Sequence, residues 1–107
     1  MRKFSEATNV GKEFEEFADT REAGAENIAN KAHEKGGLAL LTWHHFKVKL
    51  PYYKKAADGK LDLEEAKKEF EETYKKISFD MDQIEFQREV GRLEVLGELL
   101  IKARKVK

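Results

Sequence analysis

The sequence predicts an all-α fold, a small helical bundle of four or five helices, and three observations point there. Hydrophobic residues make up 40% and charged residues 39% of the 107 positions. An interior built from so balanced a composition has to be assembled from narrow apolar stripes, each backed by a charged face, which is the pattern of amphipathic helices. Apolar residues also recur at spacings of three and four along most of the chain. Finally, one Pro and seven Gly leave too little turn chemistry for the many short connections of an all-β fold. A chain of this length has room for one core, and no repeat, linker or low-complexity stretch divides it, so residues 1–107 are expected to form a single helical domain.

The first helix is expected over about residues 6–18, where Val10, Phe14 and Phe17 share a face and Glu13, Glu15, Glu16 and Asp19 point elsewhere. Asp19 and Glu22 have the spacing of a capping box, which predicts a break or kink and a second helix over 20–35. Its seam of Ala25, Ile28, Ala29 and Ala32 is small enough for another backbone to approach closely. Gly36 and Gly37 then supply a C-terminal stop.

A third helix is expected over 38–57. Ala39, Trp43, Phe46, Leu50 and Tyr53 form one row, and Leu41, His45, Val48 and Tyr52 form a second, so this helix should have neighbours on two sides. Pro51 should kink it. The alternation from Phe46 to Leu50 also fits a short strand, but no other segment offers that strand a partner. Asp58 and Gly59 end this helix, and Asp62 with Glu65 opens the next, over 62–77. The expected buried stripe there is Leu63, Ala66, Phe70, Tyr74 and Ile77. Three pairs, Glu64–Lys68, Glu71–Lys75 and Glu72–Lys76, run in the favourable direction and add about 0.3 kcal/mol each. Asp82 and Glu85 mark the start of the last helix, over 82–104. It carries Phe86, Val90, Leu93, Leu96 and Leu100 on one side and Val95, Leu99 and Ile101 on others. That is more apolar width than one packing partner requires, so Val95, Leu99 and Ile101 are expected at an intermolecular interface.

Composition excludes several functions. There is no cysteine, which removes disulfides, thiolate metal sites and thiol catalysis. The N-terminus MRKFSEATNV lacks the apolar core of a secretory signal, and no apolar run reaches the roughly 18–20 residues of a membrane span. A soluble, cytoplasmic protein is therefore expected, and the abundance of Lys and Glu matches the compositional bias of thermophiles. The formal net charge is zero, but it is segregated: residues 1–36 and 62–89 are net acidic, 37–61 and 90–107 net basic. Alternating blocks of this kind favour association between segments or between copies, and a homo-oligomer or protein partner is expected. They disfavour nucleic acid, whose readers are net basic. The competing surface, Lys47, Lys49, Lys54 and Lys55 with the tail Lys102–Lys107, is explained for the tail by cations complementing a helix C-terminus.

Chemical variety is concentrated between Gly36 and Ala57, which holds the one Trp, the one Pro, two of three His and two of three Tyr. A metal- or small-ligand-binding enzyme is the alternative reading of this segment, with His33, His44, His45, Glu26 and Tyr53 as the candidate site. Carboxylate-bridged metal sites in bundles use Glu-x-x-His, which sets two ligands one turn apart. Here the residues three before the histidines are Asn30, Leu41 and Thr42, and no His-x-x-x-His occurs, so no metal or other cofactor is expected. His45, between Leu41 and Val48, should be a packing residue, whereas His44 is free to act as a base. The run from Asp58 to Glu65 is like the second half of an EF-hand loop. Lys54 and Ala56, however, stand where its first oxygen ligands belong, and two helix caps explain the same residues. No phosphate loop or nucleophile motif is present, and Ser5 and Ser78 sit at helix starts. No catalytic residue is assigned. The expected function is a non-enzymatic bundle that acts through self-association or protein–protein interaction.

Overall fold

The computed structural model describes residues 11–106, which form helices α1 (Lys12–Lys35), α2 (Ala39–Lys47), α3 (Leu50–Ala57), α4 (Leu63–Lys76) and α5 (Gln83–Val106). The fold is an all-α bundle, and no strand occurs among the described residues, so the Phe46–Leu50 alternation belongs to helix. Val10, Ser5 and the expected start of the first helix near residue 6 lie outside the described residues.

α1 is one unbroken helix of 24 residues, without the break expected at Asp19. The local capping signal is overridden by burial. Phe14, Ala18, Ala25, Ala29 and Ala32 form one buried stripe, and a break beside Ala18 would rotate its two halves out of phase. The helix stops where the glycines predict: Gly36 and Gly37 both have positive φ, 67° and 56°, and the Gly36 N–H donates to the Ala32 carbonyl at 3.1 Å.

The next helix is interrupted at Val48 and Lys49, ahead of Pro51. Proline has no N–H to offer the Lys47 carbonyl four residues earlier, and its ring crowds that carbonyl, so α2 ends at Lys47 and Pro51 sits in the first turn of α3. Val48 and Lys49 keep right-handed helical dihedrals, and the Lys49 N–H tightens onto the Phe46 carbonyl at 3.1 Å. Of the expected core row, Tyr53 is buried while Trp43 and Phe46 are half-buried.

α4 opens on Asp62, whose carboxylate accepts from the Glu64 N–H at 3.0 Å. Its inner stripe is Leu63, Ala66, Phe70 and Thr73, with Ile77 half-buried just past its end. Tyr74 is 68% exposed, which corrects its expected burial. α4 packs chiefly against α5, so its contact stripe is narrow and Tyr74 turns off it. α5 opens on Asp82, which accepts from the Ile84 and Glu85 N–H groups at 3.0 and 3.3 Å.

α5 is the central helix, with α1, α2, α3 and α4 all packed on it. Its wide apolar surface is consumed inside the chain. Val95 and Leu99 are fully buried with Phe14, Tyr53 and Leu96 in the core. They are therefore no intermolecular surface, and of the three expected interface residues only Ile101, 55% exposed, faces outward. The pairing of Tyr53 with Glu98, and the approach of the His45 carbonyl to Gly91, show that α2 and α3 run parallel to α5. Contacts of Arg21 with Glu98 and of Glu13 with Lys102 show that α1 runs antiparallel to it. Leu38, the α2 start and the α5 start consequently lie at one end of the bundle. No helix of the described residues is long and apolar enough to cross a membrane.

Candidate functional site

Two polar rows on α5 organise what surrounds the segment that the sequence singled out. The first is Glu94 and Glu98. Gly91 lets the α2 backbone lie close on α5, and this brings His45 and Lys49 over Glu94. His45 Nε2 is 3.1 Å from Glu94 Oε1, and the Lys49 ammonium bonds the same oxygen. Lys49 is buried, with its Nζ 4.6 Å from the Phe46 ring centroid. The other ring nitrogen of His45, Nδ1, is buried without a hydrogen-bond partner among the described residues. One turn along, the Tyr53 hydroxyl donates to Glu98 Oε1, and Arg21 Nε reaches Glu98 Oε2 at 3.3 Å. Lys49, Glu94, Tyr53, Glu98 and Arg21, with Gly24 and Ile28 of α1, border a groove of about 610 Å³.

The Lys49 ammonium holds the Glu94 carboxyl below its ordinary 4.5, with His45 assisting and burial opposing. Burial, then donation to Glu98, raises Tyr53 well above the usual phenol value. Burial, then donation to Glu69, pushes Tyr52 up to about 12. The signs set the pH response. A depressed Glu94 contributes stability that is present above 4.5 and is lost as pH falls through its lower folded value. The raised tyrosines contribute stability that is full below 10 and, for Tyr52, lost as pH rises toward 12. Thermal melts across acid pH should show that Glu94→Gln lowers the melting temperature at neutral pH and flattens the acid limb. Parallel acid limbs in the two proteins would show that Glu94 is not responsible.

The second row is Arg88 and Arg92, which faces the opposite side of α2 and α3. Burial disfavours the Arg92 charge, but hydrogen bonds to Glu89 and Tyr52 prevail and raise its pKa. Its Nη1 donates to Glu89 Oε1 at 2.6 Å and its Nε to the Tyr52 hydroxyl at 3.1 Å. That hydroxyl donates in turn to Glu69. Glu89 is buried and also 3.6 Å from Lys76. Between Arg88, Arg92 and Glu69 on one side and Trp43, His44, Lys47, Pro51 and Lys55 on the other is a hollow of about 620 Å³.

Of the five candidate ligand residues the structure brings two, His33 and His44, to one place and sets the other three elsewhere. The rings of His33 and His44 both rest on Trp43, with centroids 5.1 and 4.7 Å away. His45 instead engages Glu94, Tyr53 engages Glu98, and Glu26 is exposed on α1. Among the described residues, no group of three His, Asp or Glu side chains is placed to hold a metal ion. Sequence reasoning missed Arg92, Glu69, Glu94 and Glu98, and it placed Lys49 only on a basic surface, not against Glu94. A signal for them was present: Glu94–Glu98 and Arg88–Arg92 are like-charge pairs at i,i+4, which weaken an isolated helix and so call for opposite charge from elsewhere.

Fold and surface together define a small all-α bundle built around one central helix, with polar side chains converging on both flanks of α2 and α3. No protein-family model, curated protein or solved structure matches the chain.

Proposed function

We propose that this protein is a non-enzymatic helical-bundle module that self-associates through the end of the bundle where α2 and α5 begin. The carrying observation is the apolar exposure gathered there. Phe79 is 93% and Leu38 86% exposed, and Leu40 and Ile84 are exposed beside them in sequence. The Phe79 ring leans on Phe86 at 5.8 Å rather than entering the core. Large apolar side chains exposed at one end of a bundle, with charged residues around them, are what an association surface requires.

A second copy is the occupant that fits. The same end carries Lys31 and Lys35 from the close of α1, Asp80 and Asp82 from the approach to α5, and Glu85 from its first turn. A twofold interface brings each copy's acids to the other's bases. Zero net charge leaves no long-range repulsion to oppose the encounter. The self-associating surface is thus at the bundle end and does not include Val95 or Leu99.

Sedimentation over a range of concentrations tests this reading. The unmodified chain should dimerise, and Leu38→Ser with Phe79→Ser should raise the dimer Kd roughly tenfold or more, about 1.4 kcal/mol, at unchanged helicity. Ile101→Lys, at the other end, should leave assembly as it was. A strict monomer at high concentration, or a dimer indifferent to the double substitution, would sink the proposal.

A further inference from the structure

We infer that the hollow between α2–α3 and the Arg88–Arg92 row of α5 binds a small polyphosphate anion of nucleotide size. Two cationic rows face each other across it. Lys47, Pro51 and Lys55 follow one another at four-residue spacing on one wall, and Arg88 and Arg92 do so on the other. Arg88 and Arg92 are like charges one turn apart, and like charges opposed across a cleft add to that; both oppose folding. On the neighbouring flank the corresponding strain is relieved, because Glu94 and Glu98 receive Lys49, His45 and Arg21. Here the relief is incomplete. Among the described residues, Lys55 and Arg88 take no ion pair, and the Lys47 ammonium rests over the Trp43 ring at 5.5 Å. An anion seated between the rows supplies the missing charge.

The fourth cation is held ready for it. Arg92 is fixed by buried Glu89 on its Nη1 and by the Tyr52 hydroxyl on its Nε, with Glu69 3.8 Å from the same Nε, and its Nη2 donors take no hydrogen bond among the described residues. A volume of about 620 Å³ accommodates a nucleotide-sized ligand, and three cations without carboxylate partners among the described residues match a di- or triphosphate better than a single carboxylate. Trp43 and His44 add aromatic surface at the same wall. The cations sit in a hollow bordered by Glu69, and the chain has zero net charge. Both features favour a small anion over a nucleic-acid strand, which needs a continuous basic track.

Trp43 is the one tryptophan, so its fluorescence reads the site directly. Titration of the intact chain with pyrophosphate and with ATP, against sodium chloride at matched ionic strength, should give a saturable change for both phosphates and none for chloride. Arg88→Ala and Lys55→Gln should each weaken binding about tenfold. Lys54→Ala, whose ammonium is 3.9 Å from Asp58 outside the hollow, should leave it unchanged. Circular dichroism on each variant verifies the fold, and both test positions are exposed. A response to phosphates no different from chloride would overturn the inference. So would equal losses from Lys54→Ala and Arg88→Ala, or an oligonucleotide bound more tightly than ATP.

Discussion

Leu99→Lys is expected to abolish the cooperative fold rather than alter how the molecule assembles. Leu99 is 0% exposed, at the middle of the core on the helix that every other helix contacts. Truncating such a leucine to alanine costs about 2–5 kcal/mol from lost burial and the cavity left behind. Lysine adds the penalty of placing an ammonium where no acidic partner waits. Domains of this size hold about 5–15 kcal/mol in total, so the sum approaches or exceeds the whole stability. Far-UV circular dichroism should show lost helicity and no cooperative thermal transition. Leu99→Ala should remain folded but melt markedly lower, and Ile101→Lys should melt near the unmodified protein. A well-folded Leu99→Lys with a changed oligomeric state would return Leu99 to a surface.

Gly91→Ala should destabilise by about 2–3 kcal/mol, although alanine is the better helix former by roughly 1 kcal/mol. A Cβ at Gly91 would stand 2.3 Å from the His45 carbonyl oxygen and 2.8 Å from Val48 Cγ1. The first of these is backbone, so α2 as a whole has to move off α5. That displacement also loosens His45 and Lys49 from Glu94. Two other helical glycines calibrate the effect. Gly24 has nothing within 4 Å of an added Cβ, and Gly24→Ala should stabilise by up to about 1 kcal/mol. Gly97 meets the edge of the Phe70 ring at 3.1 Å, a side chain that can give way, so its substitution should fall between the two. Chemical denaturation of the three variants should rank Gly24→Ala above Gly97→Ala above Gly91→Ala. An unchanged Gly91→Ala would mean that the two helices are less closely apposed.

Helix ends that rest on local chemistry were legible in the chain. Gly36, Asp62 and Asp82 act within a few residues of themselves, through positive φ or through a carboxylate capping nearby N–H groups. Pro51 belongs to this class as well, once its effect is counted back four residues to the Lys47 carbonyl. Asp19 shows the limit. Its capping spacing is as good as that of Asp62, yet Ala18 is buried within a continuous stripe and the helix runs through. Tyr74 and Thr73 lie on neighbouring positions, and which of them turns inward depends on α4 having one main packing partner. Val95 and Leu99 looked surplus because the number of helices around α5 is not a property of α5.

The polar sites divide the same way. The richness of residues 36–57 was visible, but the partners that give these side chains a role were not: His45 meets Glu94 across 49 residues, Tyr53 meets Glu98 across 45, and Tyr52 meets Arg92 across 40. Sequence alone determined the helical class, most of the helix boundaries and the absence of cysteine chemistry, because these depend on periodicity, capping and composition read over a turn or two. Tertiary structure decided which apolar residues are core, which carboxylate each tyrosine, histidine and lysine engages, and which cations are left facing a hollow. Those outcomes depend on how helices cross, and here the close crossing rests on one glycine, Gly91, whose missing side chain allows α2 to settle against α5.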